Sequence, residues 1–472
     1  MDNRDRPNIV YIMSDDHAAH AMSCYGSRIN ETPHLDRIAS EGMRFDRCFC
    51  TNAICTPSRA SVLTGTYNHV NGVRTLDSVL DGRLSTFPKL LQAAGYQTAI
   101  VGKWHLGHGG HSDPTGFDYW NVLPGQGEYH DPAFIEMGRE YRVQGYVTDL
   151  ITDCSLEWLE RRDQSRPFML LCHHKAPHDK FEYHPKYAHL YEETDIPEPE
   201  TFDDDYESRS DAAREATCRI EWMGRHLTTQ APDGLGDEAS KKWHYQKFMK
   251  DYLRCIASID ENVGRLLDYL DEHGLTENTI VVYTSDQGFF LGDHGWYDKR
   301  FMYEESLRMP FLIRYPREIA PGTVTRAMAL NVDFAPTLLD CAGVAVPAGM
   351  QGRSFREALR NGGRTPPDWR DSMYYRYWMH LAHFHIKAHY GIRTDRYKLI
   401  YYYAEALGVE GAIDESKPTE WELFDLLQDP RELRNVYEDL SYRGIRAELK
   451  LELAKLRADV GDDSCPWQEE AG

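Results

Sequence analysis

The sequence predicts an α/β fold, a large mixed and mostly parallel sheet flanked by helices, with a smaller antiparallel sheet after it. Three observations predict this. As far as residue 370, apolar runs of strand length alternate with helical stretches, as in strands joined by crossover helices. Proline and glycine fall where those helices would begin and end. Beyond residue 370 the texture changes to tyrosine- and histidine-rich runs of strand type, closed by one amphipathic stretch. The expected division is a large domain over 1–370 and an antiparallel-sheet subdomain with a closing helix over 371–472.

The first expected strand, 8–14, contains Ile9-Val10-Tyr11-Ile12, a run without polar alternation, as in a strand buried on both faces. A helix over 33–41 starts at Thr32-Pro33, and a second is expected over 57–64. Ser85-Thr86 opens a helix over 87–94 that Gly95 stops, and a strand over 97–102 follows. Next come a helix over 147–162, a strand over 168–173, and a long helix over 245–273 that Gly274 stops. Strands over 280–285 and 311–315 and a helix over 334–342 complete the large domain. In the remainder, 374–389, 397–403 and 421–426 read as sheet and 447–460 as the last helix. Residues 192–215, acidic and proline-bearing with Asp203-Asp204-Asp205, read as a solvated surface excursion with some helix.

Charge excludes some partners. Asp and Glu outnumber Lys and Arg by 75 to 53, a formal charge of −22, which argues against a nucleic-acid partner, whose phosphates need a basic face. A local cluster of cations can still hold an anion, because the global charge is muted beyond a Debye length of about 8 Å. No apolar run is long enough for a membrane helix, so no membrane partner is expected. The first seven residues lack a charged-then-apolar export signal. As written, the chain is expected in the cytoplasm, or in the periplasm or outside the cell if a signal has been removed. Ten scattered cysteines without zinc-ribbon spacing read as reduced core thiols.

Chemistry concentrates in a few motifs. In Cys55-Thr56-Pro57-Ser58-Arg59, Pro57 suits the first turn of a helix and sets residue 55 at its positive end, where an anion is favoured. Arg59, four residues on, shares that face and can pair with the oxygens of such an anion. Alone, the pentapeptide also fits a buried structural thiol. Ser14-Asp15-Asp16 ends the first strand, and Thr284-Ser285-Asp286-Gln287-Gly288 ends another apolar strand. Asp15, Asp16, Asp286 and the Gln287 amide make a hard, all-oxygen cation site that favours calcium, then magnesium or manganese, over zinc. Around Gly102-Lys103-Trp104-His105, Lys103 and His105 lie two apart and so point the same way in a strand. His178 stands in Ala176-Pro177-His178, and Lys299 in Asp298-Lys299-Arg300. His294, in Gly292-Asp293-His294-Gly295, is a candidate substrate contact or a turn histidine.

Together these motifs resemble the formylglycine-dependent sulfatases of the alkaline-phosphatase superfamily, over nearly the whole chain. Residues 285–316, with Gly125-Gln126-Gly127 and His389-Tyr390-Gly391-Ile392-Arg393-Thr394, are similar to the glycosaminoglycan branch, near N-acetylglucosamine-6-sulfatases and iduronate-type enzymes. The resemblance implies an alkaline-phosphatase-like fold with the metal site at the strand ends. It implies oxidation of Cys55 to formylglycine by a formylglycine-generating or anaerobic sulfatase-maturating enzyme, and a formylglycine oxygen as a further metal ligand. It makes Lys103 and Lys299 sulfate contacts, His105 a proton acceptor and His178 the donor to the leaving oxygen. The family commonly carries Asn or His where this chain has Gln287, which keeps a carbonyl oxygen on a longer stem. The implied reaction is hydrolysis of a sulfate monoester on a sulfated saccharide, with 6-O-sulfated N-acetylglucosamine first. A phosphonate monoester or phosphodiester hydrolase of the same superfamily is the alternative. The stretch 374–389 is either a sugar-facing lining or an aromatic-packed sheet.

Overall fold

The computed structural model describes residues 6–27, 29–465 and 467. Its centre is a ten-stranded sheet. In chain order the strands are β1 (Asn8–Ser14), β2 (Met43–Phe45), β3 (Gln97–Lys103), β4 (Tyr119–Leu123), β5 (Ala133–Glu136), β6 (Arg139–Arg142), β7 (Phe168–His173), β8 (Thr279–Ser285), β9 (Phe311–Arg314) and β10 (Thr323–Thr325). Across the sheet they lie in the order β10-β2-β9-β8-β1-β7-β3-β4-β5-β6. β8, β1, β7, β3 and β4 run parallel, while β9 on one flank and β5 and β6 on the other bring antiparallel pairs. The sheet is therefore mixed with a parallel heart.

β1, β7 and β8 are buried at every position because helices cover both faces. One layer is α1 (Pro33–Glu41), α4 (Val147–Arg161) and the long α5 (Asp237–Glu272), which pack on one another. The other is α2 (Cys55–Thr64), α3 (Phe87–Ala93) and α6 (Phe334–Cys341). α5 begins at Asp237 rather than 245, because its first turns carry charge instead of an apolar stripe. Asp237 and Glu238 suit that end, where the helix dipole is positive. No helix among the described residues is long and apolar enough to cross a membrane.

A separate sheet follows, β11 (Ser372–Tyr377), β12 (His389–Thr394), β13 (Tyr397–Tyr402) and β14 (Glu420–Asp425), antiparallel in that order. α7 (Arg443–Val460) closes over it. Buried ion pairs tie the two sheets together: Arg393 on β12 pairs with Glu304 at 2.9 Å, and Lys398 on β13 reaches Glu304 at 2.9 Å and Glu432 at 2.5 Å. β11 is packed through its whole length, which settles that part of 374–389 as aromatic core.

The acidic stretch 192–215 is not simply solvated. The Asp204 side chain is only 5% exposed and pairs with Arg209 at 2.6 Å, while Phe202 and Tyr206 enter the core. Its helix is the short Asp211–Glu215. The ten cysteines are free thiols, seven of them buried.

Candidate active site

The C-terminal ends of β1, β8, β3 and β7 lie side by side, where open α/β sheets hold their ligands. β1 and β8 pair in register, Ser14 opposite Ser285, so the residues that follow meet. Asp16, at φ 66°, turns back and donates its backbone N–H to Asp286 Oδ1 at 3.2 Å. α2 comes in N-terminus first. Its Ser58 hydroxyl donates to the Asp286 carbonyl, and Arg59 Nε donates to Asp286 Oδ2 at 3.1 Å. Arg59 also donates to the Lys103 carbonyl at 2.9 Å, so one buried guanidinium braces β8 and β3 together. Cys55, in the first turn of α2, thereby lies in the field of Lys103, Asp15, Lys299 and Asp286. Burial and the neighbouring carboxylates hold its thiol above its ordinary pKa.

Three carboxylates crowd this point, each with at most 1% of its surface exposed. Burial and then Asp15 push Asp286 up to about 7. Asp16 is also raised by burial, which Lys299 offsets only in part. Asp15 is held well below the carboxylate range; burial opposes this, but Lys103, His178 and Arg59 outweigh it. Asp15 Oδ1 and Gln287 Oε1 are buried and have no hydrogen-bond partner. Orphaned oxygens beside crowded carboxylates are a poor arrangement for a protein alone and a good one for a hard cation. The donor set therefore fits a divalent ion. Ligating atoms of Asp15, Asp16 and His178 also lie within 4.8 Å of one another.

Cations face these acids. Lys103 ends β3 and contacts Asp15 and the side-chain oxygen of Gln126. Gly102 before it, at φ 102°, lets β3 pass so close to the His173 carbonyl that any Cβ would collide. Lys299 donates to Asp16 at 2.6 and 2.7 Å. Burial works against its charge, yet Asp16 and Asp298 hold its pKa above the ordinary value.

Two histidines complete the cluster. His105 reaches Thr56 Oγ1 at 3.3 Å, and burial, then Lys103, keep its pKa well below the ordinary value, so the ring is neutral. Strand alternation does not place it, however. β3 ends at Lys103 and His105 is left-handed at φ 54°, so the turn, not the pleat, brings it to the site. His178 presents Nε2 3.8 Å from Asp16 Oδ2. Its Nδ1 lies 2.7 Å from Asp179 Oδ1, and Asp179 Oδ2 lies 2.8 Å from His226 Nδ1.

The structure thus gathers Asp15, Asp16, Cys55, Arg59, Lys103, His105, His178, Asp286, Gln287 and Lys299 at one place. His294 is the exception. It is fully buried, with Nδ1 2.9 Å from Asp204 Oδ2 and its ring enclosed by Phe290, Trp296 and Tyr303. Such a ring has no face for substrate, so the expectation of a substrate contact is corrected to a packing histidine. His173 and His174 are likewise buried in the core.

Four residues at the site escaped the motif reading. Gln126 lay in a noted glycine pair but had no role. Lys175 is buried, faces the Tyr129 ring at 4.7 Å, and is pushed down to about 8 by burial and Lys103. Asp179, adjacent to His178, is findable by asking what orients that imidazole. His226 has no local signal.

The comparisons agree with this geometry. A family model described as Sulfatase matches residues 7–344, and one described as N-sulphoglucosamine sulphohydrolase, C-terminal, matches residues 292–459. The chain is 44% identical to an N-acetylglucosamine-6-O-sulfatase of Bacteroides thetaiotaomicron, over 97% of this chain and 87% of that protein. It is 29% identical to the N-acetylglucosamine-6-sulfatase of Capra hircus, over 79% of this chain and 66% of that one. A solved structure in complex with its substrate D-glucosamine-2-N,6-O-disulfate superposes with a TM-score of 0.91 at 43% identity, covering 98% of this chain and 100% of that one. A phosphonate monoester hydrolase of Agrobacterium radiobacter shares the fold alone, with a TM-score of 0.76 at 21% identity over 96% of each chain.

Proposed function

The chain belongs to the sulfatase family, and from that premise we propose that it hydrolyses the 6-O-sulfate of a glucosamine-type sugar, using a formylglycine made from Cys55. One observation carries this reading: a buried cysteine opens a helix against three carboxylates and two lysines at the strand ends. The relative at 44% identity acts on N-acetylglucosamine 6-sulfate by its name, and the likeness spans 97% of this chain, which supports the sugar class.

Asp15, Asp16, Asp286 and Gln287 would hold the cation, calcium by the all-oxygen set, which when bound supplies fixed positive charge to polarise the sulfate. A hydrated formylglycine at position 55 would supply two hydroxyls on one carbon, one as nucleophile toward sulfur, with Asp286 placed to take its proton, and one to expel sulfate afterwards. The chain's own residues do the rest. Lys103 and Lys299, both buried, oppose the sulfate charge as it shifts in the transition state. Arg59 holds Asp286 and the end of β3 in place beneath residue 55. His178 turns Nε2 inward and gives a proton to the departing sugar oxygen, while Asp179 and His226 fix its ring from behind. His105, kept neutral, takes the proton from the remaining hydroxyl. The maturing enzyme that forms the aldehyde is the required partner.

Mass spectrometry of the peptide bearing residue 55, paired with kinetics on D-glucosamine 6-sulfate, N-acetylglucosamine 6-sulfate and a matched phosphonate monoester, tests this. We expect an aldehyde mass and preference for the sulfated sugars. An unmodified thiol in a fully active enzyme, or a faster phosphonate reaction, sinks the reading.

A further inference from the structure

In a chain of formal charge −22, one cleft is rimmed by arginine. It measures about 860 Å³ and opens where the end of β2, the segment before β9 and the end of β12 converge. Arg44, Arg47, Arg308, Arg326 and Arg393 line it, with only Asp46, Glu304 and Asp395 as acids.

The ion pairs inside the cleft leave an excess of positive charge. Arg44 pairs with Asp46 at 2.9 Å, Arg47 pairs with Asp395, and Arg393 pairs with Glu304 at 2.9 Å. Glu304 is also shared by Lys398. All three acids are thus spent. Among the described residues, Arg308 and Arg326 have no ion pair and no side-chain hydrogen bond, and Arg308 Nε is buried without a partner. Arg326 is exposed at the rim.

The cradle is also held in shape. The guanidinium groups of Arg44 and Arg308 both lie against the Tyr25 ring, 5.4 and 5.6 Å from its centroid. Tyr25 is in turn fixed through its hydroxyl, which meets the Phe45 carbonyl at 2.9 Å and the Phe311 N–H at 2.9 Å. A planar guanidinium, braced on a ring and lacking a carboxylate, suits a tetrahedral oxyanion with several acceptor oxygens. A walled cleft with a net excess of one sign also concentrates counter-ions.

We propose that this cleft is a second anion site that takes a sulfate-type oxyanion, with Arg308 and Arg326 as its free ligands. It shares no lining residue with the cluster around Cys55, so the assignment stands whatever the reading of that cluster. The oxyanion has two sources, free inorganic sulfate or a sulfate borne by a saccharide chain.

Crystals of the wild-type protein soaked in selenate, an isostere of sulfate with an anomalous signal, give the first readout. A selenium peak in the cleft supports the site, and a map without one there, whatever appears beside Cys55, overturns it. The source is then read from the double variant R308A/R326A. If a saccharide sulfate docks, KM for a sulfated tetrasaccharide rises about tenfold, while kcat and KM on a monosaccharide sulfate stay unchanged. If free sulfate is the ligand, both substrates keep their constants and the double variant loses the selenate peak. A selenate peak that survives in R308A/R326A also overturns the assignment of the two arginines.

Discussion

Asp179 shares one carboxylate between two imidazoles, 2.7 Å from His178 and 2.8 Å from His226. Burial opposes its charge, but His178 and then His226 hold its pKa well below the carboxylate range, so it stays ionised. This carboxylate at Nδ1 fixes the His178 ring and sends Nε2 toward the substrate side. Asp179→Asn keeps the shape and removes the charge. We expect turnover on a sugar sulfate, a poor leaving group, to fall about 100-fold, the scale of general acid catalysis. With 4-nitrophenyl sulfate, whose leaving group needs no proton, the loss should be a few-fold at most. Equal losses on both substrates would mean that Asp179 serves only the fold.

At the scale of elements, two contacts set the site and its support. β3 passes β7 at Gly102, where φ is 102° and a side chain would strike the His173 carbonyl. Gly102→Ala should cost about 2 kcal/mol or more from backbone strain and displacement. It should also lower turnover, because Lys103 is the next residue. A thermal midpoint equal to wild type would contradict this packing. The junction between the two sheets is the second contact. Burial pushes Glu432 up to about 7 from its ordinary 4.5, with Lys398 opposing. A carboxyl raised in the folded state contributes stability that is complete below its unfolded value and is lost as pH rises through the folded one. With calcium present to quieten Asp286, the thermal midpoint should therefore drop between about pH 5 and 7.5. Glu432→Gln should flatten that part of the profile, and a wild-type slope in the variant would remove Glu432 as its cause.

For the molecule as a whole, the crowded carboxylates predict that the fold is coupled to its ion. A ligand bound to the folded state alone adds about 2.7 kcal/mol at 100 times its Kd. Calcium should raise the melting temperature and a chelator should lower it, and conversion of Asp15 to Asn should abolish both shifts. A melting curve indifferent to calcium and chelator would rule the oxygen cluster out as a cation site. The net charge of −22 also makes the arginine cleft and the lysines at the strand ends stand out as the places where an anion is received.

Much of this was legible in the chain. Continuous apolar runs fixed β1 and β7 to their ends, since a strand covered on both faces tolerates no polar alternation. Pro57 marked the start of α2, which begins two residues earlier at Cys55, and the motifs at 14–16, 55–59, 102–105, 176–178 and 284–288 named most of the site. These signals are local: propensity, capping and chemistry act within a few residues. Partnership across the chain is not. His294 carries the same local marks as His178, and only packing shows that Asp204 encloses one while Asp179 aims the other. His105 reaches the site through a left-handed turn that alternation would not foresee, and His226 arrives from a distant 3-10 segment. Such choices depend on which surfaces exclude water together, and that is decided by three-dimensional burial rather than by sequence spacing.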